Sequence, residues 1–280
     1  MQTEPTTLPS LNRSHIHKSK RWKRFMKSNT INDVKIPKFW EEKDMGGFIG
    51  EFFGTMVLIA FGTGINAGNS LNKTLVKGSG GNWILTALGW GLGVTFGVYT
   101  ASYFGADGHL NPAVTLAAAV TGAFPLGETI SYLVAQVLGA IVGAIIVMGH
   151  YKPHFDATPS DQGNDVGIFA TGPAIENTTW NFMSEVIATF IFIMALNTLG
   201  DFTVGLKPFI VGMLVVGIGI SFGGTTGYAI NPARDLGPRL AYQFMPLPHK
   251  TSANWGYAWS PIAGPIAGAI LATLIVNLFS

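Results

Sequence analysis

The sequence predicts an all-α membrane protein of six transmembrane helices plus two re-entrant half-helices, arranged as an inverted repeat. Three observations carry that prediction. Charged residues make up only 11% of the 280 and hydrophobic residues 48%, whereas ordinary globular proteins are about 25% charged. Six stretches are long and apolar enough to cross a hydrocarbon core of about 30 Å. Asn-Pro-Ala occurs twice, at 111–113 and 231–233, each time inside an apolar stretch.

Residues 1–45 form a polar, basic tail expected to be disordered and cytoplasmic. The alternative is a basic interfacial helix around Trp22, Phe25 and Met26 lying on anionic lipid. Residues 1–46 hold ten Lys or Arg against five Asp or Glu, a net +5, and the remainder of the chain is net −3. The cluster Lys18, Lys20, Arg21, Lys23, Arg24 and Lys27 could suggest nucleic acid. Beside an integral membrane body, the positive-inside rule accounts for it and puts the N-terminus in the cytoplasm. No signal peptide is evident, since residues 1–45 lack a sustained apolar stretch.

The channel-like body is expected over 46–280, with spans near 46–66, 83–104, 128–149, 179–200, 206–223 and 256–279, the fifth being the shortest. Two shorter apolar pieces, 112–120 and 232–242, cannot cross alone. Each begins at an asparagine, a strong N-cap, followed by proline, which suits the first helical position. An even number of spans puts both termini on the cytoplasmic side of the cell membrane and the loop 150–178 outside. That loop is acidic, with Asp156, Asp161, Asp165 and Glu176 against Lys152.

Four matches recur in the same order. Glu51-Phe-Phe-Gly-Thr55 parallels Glu185-Val-Ile-Ala-Thr189, and Gly91–Gly97 parallels Gly217–Gly223. The Asn-Pro-Ala triplets come next, then Gly139–Ile145 with Gly264–Ile270. The repeats, about 46–150 and 179–280, each hold three spans, so the second copy is inserted upside down. Inverted repeats with broken helices place their functional site near the midplane. The half-helices must therefore enter from opposite faces and meet at their N-termini.

Non-helical backbone at that depth has to line water or be buried in protein. The glycine-rich segments 105–110 and 223–230 are expected to expose a ladder of carbonyl acceptors, with Asn111 and Asn231 donating side-chain N–H groups beside them. Glu51 and Glu185, at equivalent positions inside spans, are expected to accept backbone N–H groups of those loops. The competing assignment is proton coupling in a transporter. His109 is expected to support the first loop, and Gln136 to link helices. Glycine at every fourth residue (139 and 143, 264 and 268) reads as close helix contact. His150, His154 and His249 are too scattered for a metal site. Asn72 and Asn177 fall in glycosylation sequons. With no cysteine in the chain, thiolate metal sites and cysteine catalysis are excluded. No cofactor, metal or enzymatic activity is expected.

On His109-Leu-Asn-Pro-Ala-Val114 and Gly227-Tyr-Ala-Ile-Asn-Pro-Ala-Arg-Asp235, the sequence resembles the major intrinsic protein (aquaporin) family, and within it the aquaglyceroporin or glycerol facilitator branch. The resemblance spans about 46–280. It implies an aquaporin-like fold, one pore per subunit, a homotetramer in a lipid bilayer, and passage of glycerol, water and similar small uncharged solutes without ions, protons or nucleic acid as partners. It also implies a selectivity filter made of Trp90, Gly219, Tyr228 and Arg234, next to the half-helix starts Pro112, Ala113, Pro232 and Ala233. Trp90 and Tyr228 would form an apolar corner, with Arg234 donating from the opposite side and Gly219 leaving room for the aromatic ring. Water-selective relatives usually carry histidine at Gly219. Asp235, Pro261 and Ile262 match the glycerol-conducting branch. Tyr228 stands where bacterial facilitators commonly have phenylalanine, and 105–109 is one residue longer than usual. A secondary transporter and a structural junction protein are the rival classes.

Overall fold

The computed structural model describes residues 42–280, so both readings of the tail, disordered or interfacial, lie outside the described residues. Eight principal helices follow in order. They are α1 (Glu42–Ser70), α2 (Trp83–Tyr103), α3 (Pro112–Val120), α4 (Leu126–His150), α5 (Thr178–Asn197), α6 (Lys207–Thr226), α7 (Pro232–Phe244) and α8 (Ser260–Phe279). Six of them, all but α3 and α7, are long and apolar enough to cross a membrane.

Local chemistry explains several ends. Asn82 caps α2 by accepting the Leu85 N–H at 3.0 Å, and Asn177 caps α5 by accepting that of Trp180 at 3.1 Å. The Asn177 side chain is thus committed to a helix start. α3 and α7 begin at Pro112 and Pro232, as expected, with Asn111 and Asn231 as caps. Three expectations need correction. The fifth span is not shortest: α6 has 20 residues, the same as α5 and α8. It also runs on through Gly223–Thr226, ending only where Gly227 takes a left-handed φ of 83°. The second irregular segment is therefore confined to 227–230, because the Gly-Gly-Thr-Thr run stays helical. Likewise α8 starts at Ser260 rather than 256, with Pro261 in its first turn.

The packing mirrors the repeat. α1 lies against α4 and α2 in the first half, and α5 against α8 in the second. Each half-helix also crosses over, α3 packing on α8 and α7 on α4, which locks the halves together. The glycine pairs make these contacts close. A Cβ on Gly139 would come within 2.2 Å of the Phe52 carbonyl oxygen, and one on Gly268 within 2.4 Å of that of Val186.

Candidate functional site: a bracketed pore with an aromatic–arginine constriction

Asn111 accepts the Ala113 N–H at 2.9 Å and donates Nδ2 to the Ile230 carbonyl at 2.9 Å. Asn231 accepts the N–H groups of Ala233 (3.0 Å) and Arg234 (3.2 Å) and donates to the Leu110 carbonyl at 2.7 Å. The two half-helix tips are thus bolted to each other, each cap holding the other's entry loop. An amide NH2 carries two hydrogens, so one N–H of each asparagine remains beyond this brace.

The loops entering the tips share an alternating backbone. Gly108 and Leu110 have φ of 74° and 52°, and Tyr228 and Ile230 have φ of 40° and 44°. Three of these four are non-glycine residues, for which the left-handed region costs on the order of 1–3 kcal/mol each. Buried carboxylates hold them there. Glu51 accepts the His109 N–H at 2.7 Å and the Leu110 N–H at 2.6 Å. Glu185 accepts Ala229 and Ile230 N–H, both at 3.0 Å, and the Thr226 hydroxyl at 2.7 Å. With their N–H groups on the carboxylates, the loops give the Leu110 and Ile230 carbonyls to the opposite asparagines.

The two supports differ in detail. Gln136 donates to Glu51 at 2.8 Å and to the Thr115 hydroxyl at 2.9 Å, so it braces the first loop. His109 Nδ1 pairs with that same hydroxyl at 3.1 Å, and its ring packs edge-on against Phe124 and Tyr132. The 105–109 segment is tied down by Tyr132, whose hydroxyl donates to Asp107 Oδ2 at 3.1 Å.

Two cavities share part of their lining. One, of about 570 Å³, is lined by Asn111, Asn231, His109, Val94 and Val215 among others, and the second, of about 590 Å³, by Asn66, Trp83, Thr171 and Gly223 among others. Trp90, Tyr228 and Arg234 line both. These three residues are thus the side chains that the two cavities have in common, with Asn111 and Asn231 lining the first.

The arrangement there departs from a corner with arginine opposite. The Arg234 guanidinium carbon lies 3.7 Å above the Trp90 ring centroid, a cation–π stack. Arg234 Nη1 donates to the Phe169 carbonyl at 3.1 Å. The Tyr228 hydroxyl is buried without a hydrogen-bond partner, tucked beside Gly219, where a Cβ would stand 2.9 Å from it. Asp235 is fully buried. It accepts the Thr171 N–H and hydroxyl, both at 2.7 Å, and the Arg239 guanidinium at 2.7 and 2.9 Å. It fixes the loop that carries Phe169. Pro261 and Ile262, in the first turn of α8, line neither cavity.

Several residues of this frame escaped the sequence analysis. Asn66 accepts the Trp90 indole N–H at 3.3 Å and donates to the Ile168 carbonyl at 3.1 Å. Trp83 donates to the Gly219 carbonyl at 2.9 Å and packs edge-on against Tyr228. Neither has a local sequence signal. Arg239 does: it is a charge in a short apolar piece, four residues after Asp235.

A sequence profile of the major intrinsic protein family matches residues 38–276. This chain belongs to the major intrinsic protein family. Among family members, glycerol uptake facilitator protein 2 of Lactiplantibacillus plantarum is 56% identical over 238 residues, covering 84% of this chain and 100% of that one. The glycerol uptake facilitator protein of Bacillus subtilis is 51% identical over 236 residues, 83% of this chain and 84% of its own length. The X-ray structure of the aquaglyceroporin from Plasmodium falciparum superimposes with a TM-score of 0.72 at 32% identity, covering 84% of this chain and 96% of that one. The fold is therefore the aquaporin fold of six spanning helices.

Proposed function

We propose that the protein is a passive, bidirectional channel for glycerol and other small uncharged solutes and for water, and that Trp90, Gly219, Tyr228 and Arg234 form its selectivity filter. The observation that carries this reading is that two cavities share Trp90, Tyr228 and Arg234 in their lining, next to asparagines braced across the two half-helix tips. An alditol has an apolar carbon edge and a hydroxyl edge. An indole and a phenol ring suit the first, and guanidinium N–H groups and loop carbonyls suit the second. The relatives named as glycerol uptake facilitators agree with that chemistry.

Ions meet three obstacles. Each half-helix presents about +0.5 charge, and at ~5 Å and an effective dielectric of ~20 this repels a cation by about 1.7 kcal/mol. Arg234 adds a full charge, and stripping an ion of water costs several kcal/mol more even after relaxation. Pores of this kind are known to exclude protons and cations by an arginine and by half-helix dipoles. A homotetramer in the plasma membrane, with both termini cytoplasmic, completes the reading. It rests on the family resemblance and on the basic excess before the first span.

Proteoliposomes under a glycerol gradient test it by stopped-flow light scattering. Glycerol equilibration is expected to be fast, to rise linearly with concentration and to show no counterflow. Saturable exchange would instead indicate the transporter class. Because the chain has no cysteine, mercurials are expected to leave both water and glycerol flux intact, and strong mercurial inhibition would contradict this pore.

A further inference from the structure

Both aromatic rings of the constriction lie directly on glycines of neighbouring helices. A Cβ on Gly62, in α1, would fall 2.2 Å from Trp90 Cε3 and 2.3 Å from its Cδ2 and Cζ3. A Cβ on Gly223, in α6, would fall 2.6 Å from Tyr228 Cδ1 and 2.5 Å from Trp83 Cζ2. Gly62 lines neither cavity, and Gly223 borders only the second. Gly62 is therefore screened from a permeating solute by the ring it supports.

Each ring is held on its other sides. Trp90 is layered between the Gly62 backbone and the Arg234 guanidinium, 3.7 Å over its face. Its indole N–H is held by Asn66. Tyr228 lies across Gly219 and Gly223, one helical turn apart, with Trp83 at its edge. Its backbone is pinned at φ 40° beside Ala229, which Glu185 holds. A methyl group added at either glycine must restore ordinary carbon contact, which displaces Trp90 at Gly62, and Tyr228 together with Trp83 at Gly223, by roughly an ångström. The space available is the lumen, and on the Trp90 side the guanidinium moves with the ring.

We propose that Gly62 and Gly223 are specificity-determining positions of this channel. The depth of the slots they leave for Trp90 and Tyr228 sets the width of the filter, and so the largest solute that passes. The inference rests on the filter assignment above and adds positions behind it that act only through the rings. Trp90 on α2 is thereby gauged by α1, and Tyr228 by α6.

The test measures glycerol and water permeability in the same proteoliposomes, so that their ratio is independent of how much protein is inserted. Gly62→Ala and Gly223→Ala are each expected to lower the glycerol-to-water ratio by roughly tenfold. Smaller rings should restore it, in the double variants Gly62→Ala/Trp90→Phe and Gly223→Ala/Tyr228→Leu. An unchanged ratio in both single variants would overturn the proposal. So would a parallel loss of both fluxes that the smaller rings fail to rescue, since the glycines would then serve helix packing alone. Gly219→His in the same assay separates the two levels. If it too leaves glycerol flux unchanged, the filter assignment fails. If it blocks glycerol while the Gly62 and Gly223 variants do nothing, only the slot inference fails.

Discussion

Replacing Gly219 with histidine is expected to cut glycerol permeation by roughly 100-fold while water flux stays measurable. The first atom of the new side chain already has no room, since a Cβ at 219 would lie 2.7 Å from Tyr228 Cζ, 2.9 Å from its hydroxyl and 3.0 Å from Cε2. Tyr228 cannot retreat along α6, because Gly223 and Trp83 close that direction. Nor can its backbone slide: Ala229 and Ile230 are bonded to Glu185. The ring must turn into the passage, and an imidazole then adds its own volume and a polar edge. Overpacking of this kind costs about 1–3 kcal/mol even where neighbours can relax. A glycerol molecule that must displace both groups carries that cost in its barrier, at a factor of ten for each 1.4 kcal/mol. Water, with a smaller cross-section, does not. Stopped-flow measurement of both solutes in one preparation checks the result, and wild-type glycerol flux in the variant would remove Gly219 from the filter.

What the sequence revealed and concealed follows from how local each signal is. α3 was legible to the residue, Pro112–Val120, because an asparagine cap followed by proline is a complete instruction within three positions. Glu51 and Glu185 were legible as loop supports because a carboxylate inside an apolar span must find donors. The end of α6 was not. Gly223, Gly224 and Gly227 are all plausible stops, and the choice of Gly227 depends on a tertiary partner, the Glu185 carboxylate that takes the Thr226 hydroxyl. The Arg234–Trp90 stack was hidden for the same reason. The resemblance supplied the four residues, but their mutual placement depends on Phe169 and Ile168 in the 150–178 loop, whose carbonyls hold Arg234 directly and Trp90 through Asn66. That loop looked like an acidic surface connection. Its buried segment, Ile168–Thr171, instead frames Trp90 and Arg234.

Asp235→Ala is expected to damage both stability and selectivity, because one carboxylate closes that frame. Arg239 is fully buried and donates to Asp235, to the Thr171 carbonyl at 2.9 Å, to the Ala253 carbonyl at 2.6 Å and to the Asn254 carbonyl at 3.2 Å. Removing its counter-ion leaves a guanidinium uncompensated in the interior, a loss of about 3–5 kcal/mol. The Thr171 N–H loses its acceptor as well, adding about 1–3 kcal/mol if it stays buried and unpaired. The temperature of unfolding in detergent should fall by about 10 °C. The second effect is local: once Thr171 is untethered, the Phe169 carbonyl two residues earlier no longer holds Arg234 in place, and the glycerol-to-water flux ratio should change in the protein that remains folded. Asp235→Leu combined with Arg239→Met separates these contributions. The double replacement removes both charges, so it should recover part of the thermal stability that either single change loses. The flux ratio should stay altered, because Thr171 still lacks its acceptor. Strictly additive losses in the double variant would mean that the buried pair is not the unit holding this loop, and that the backbone carbonyls around Arg239 do so without Asp235.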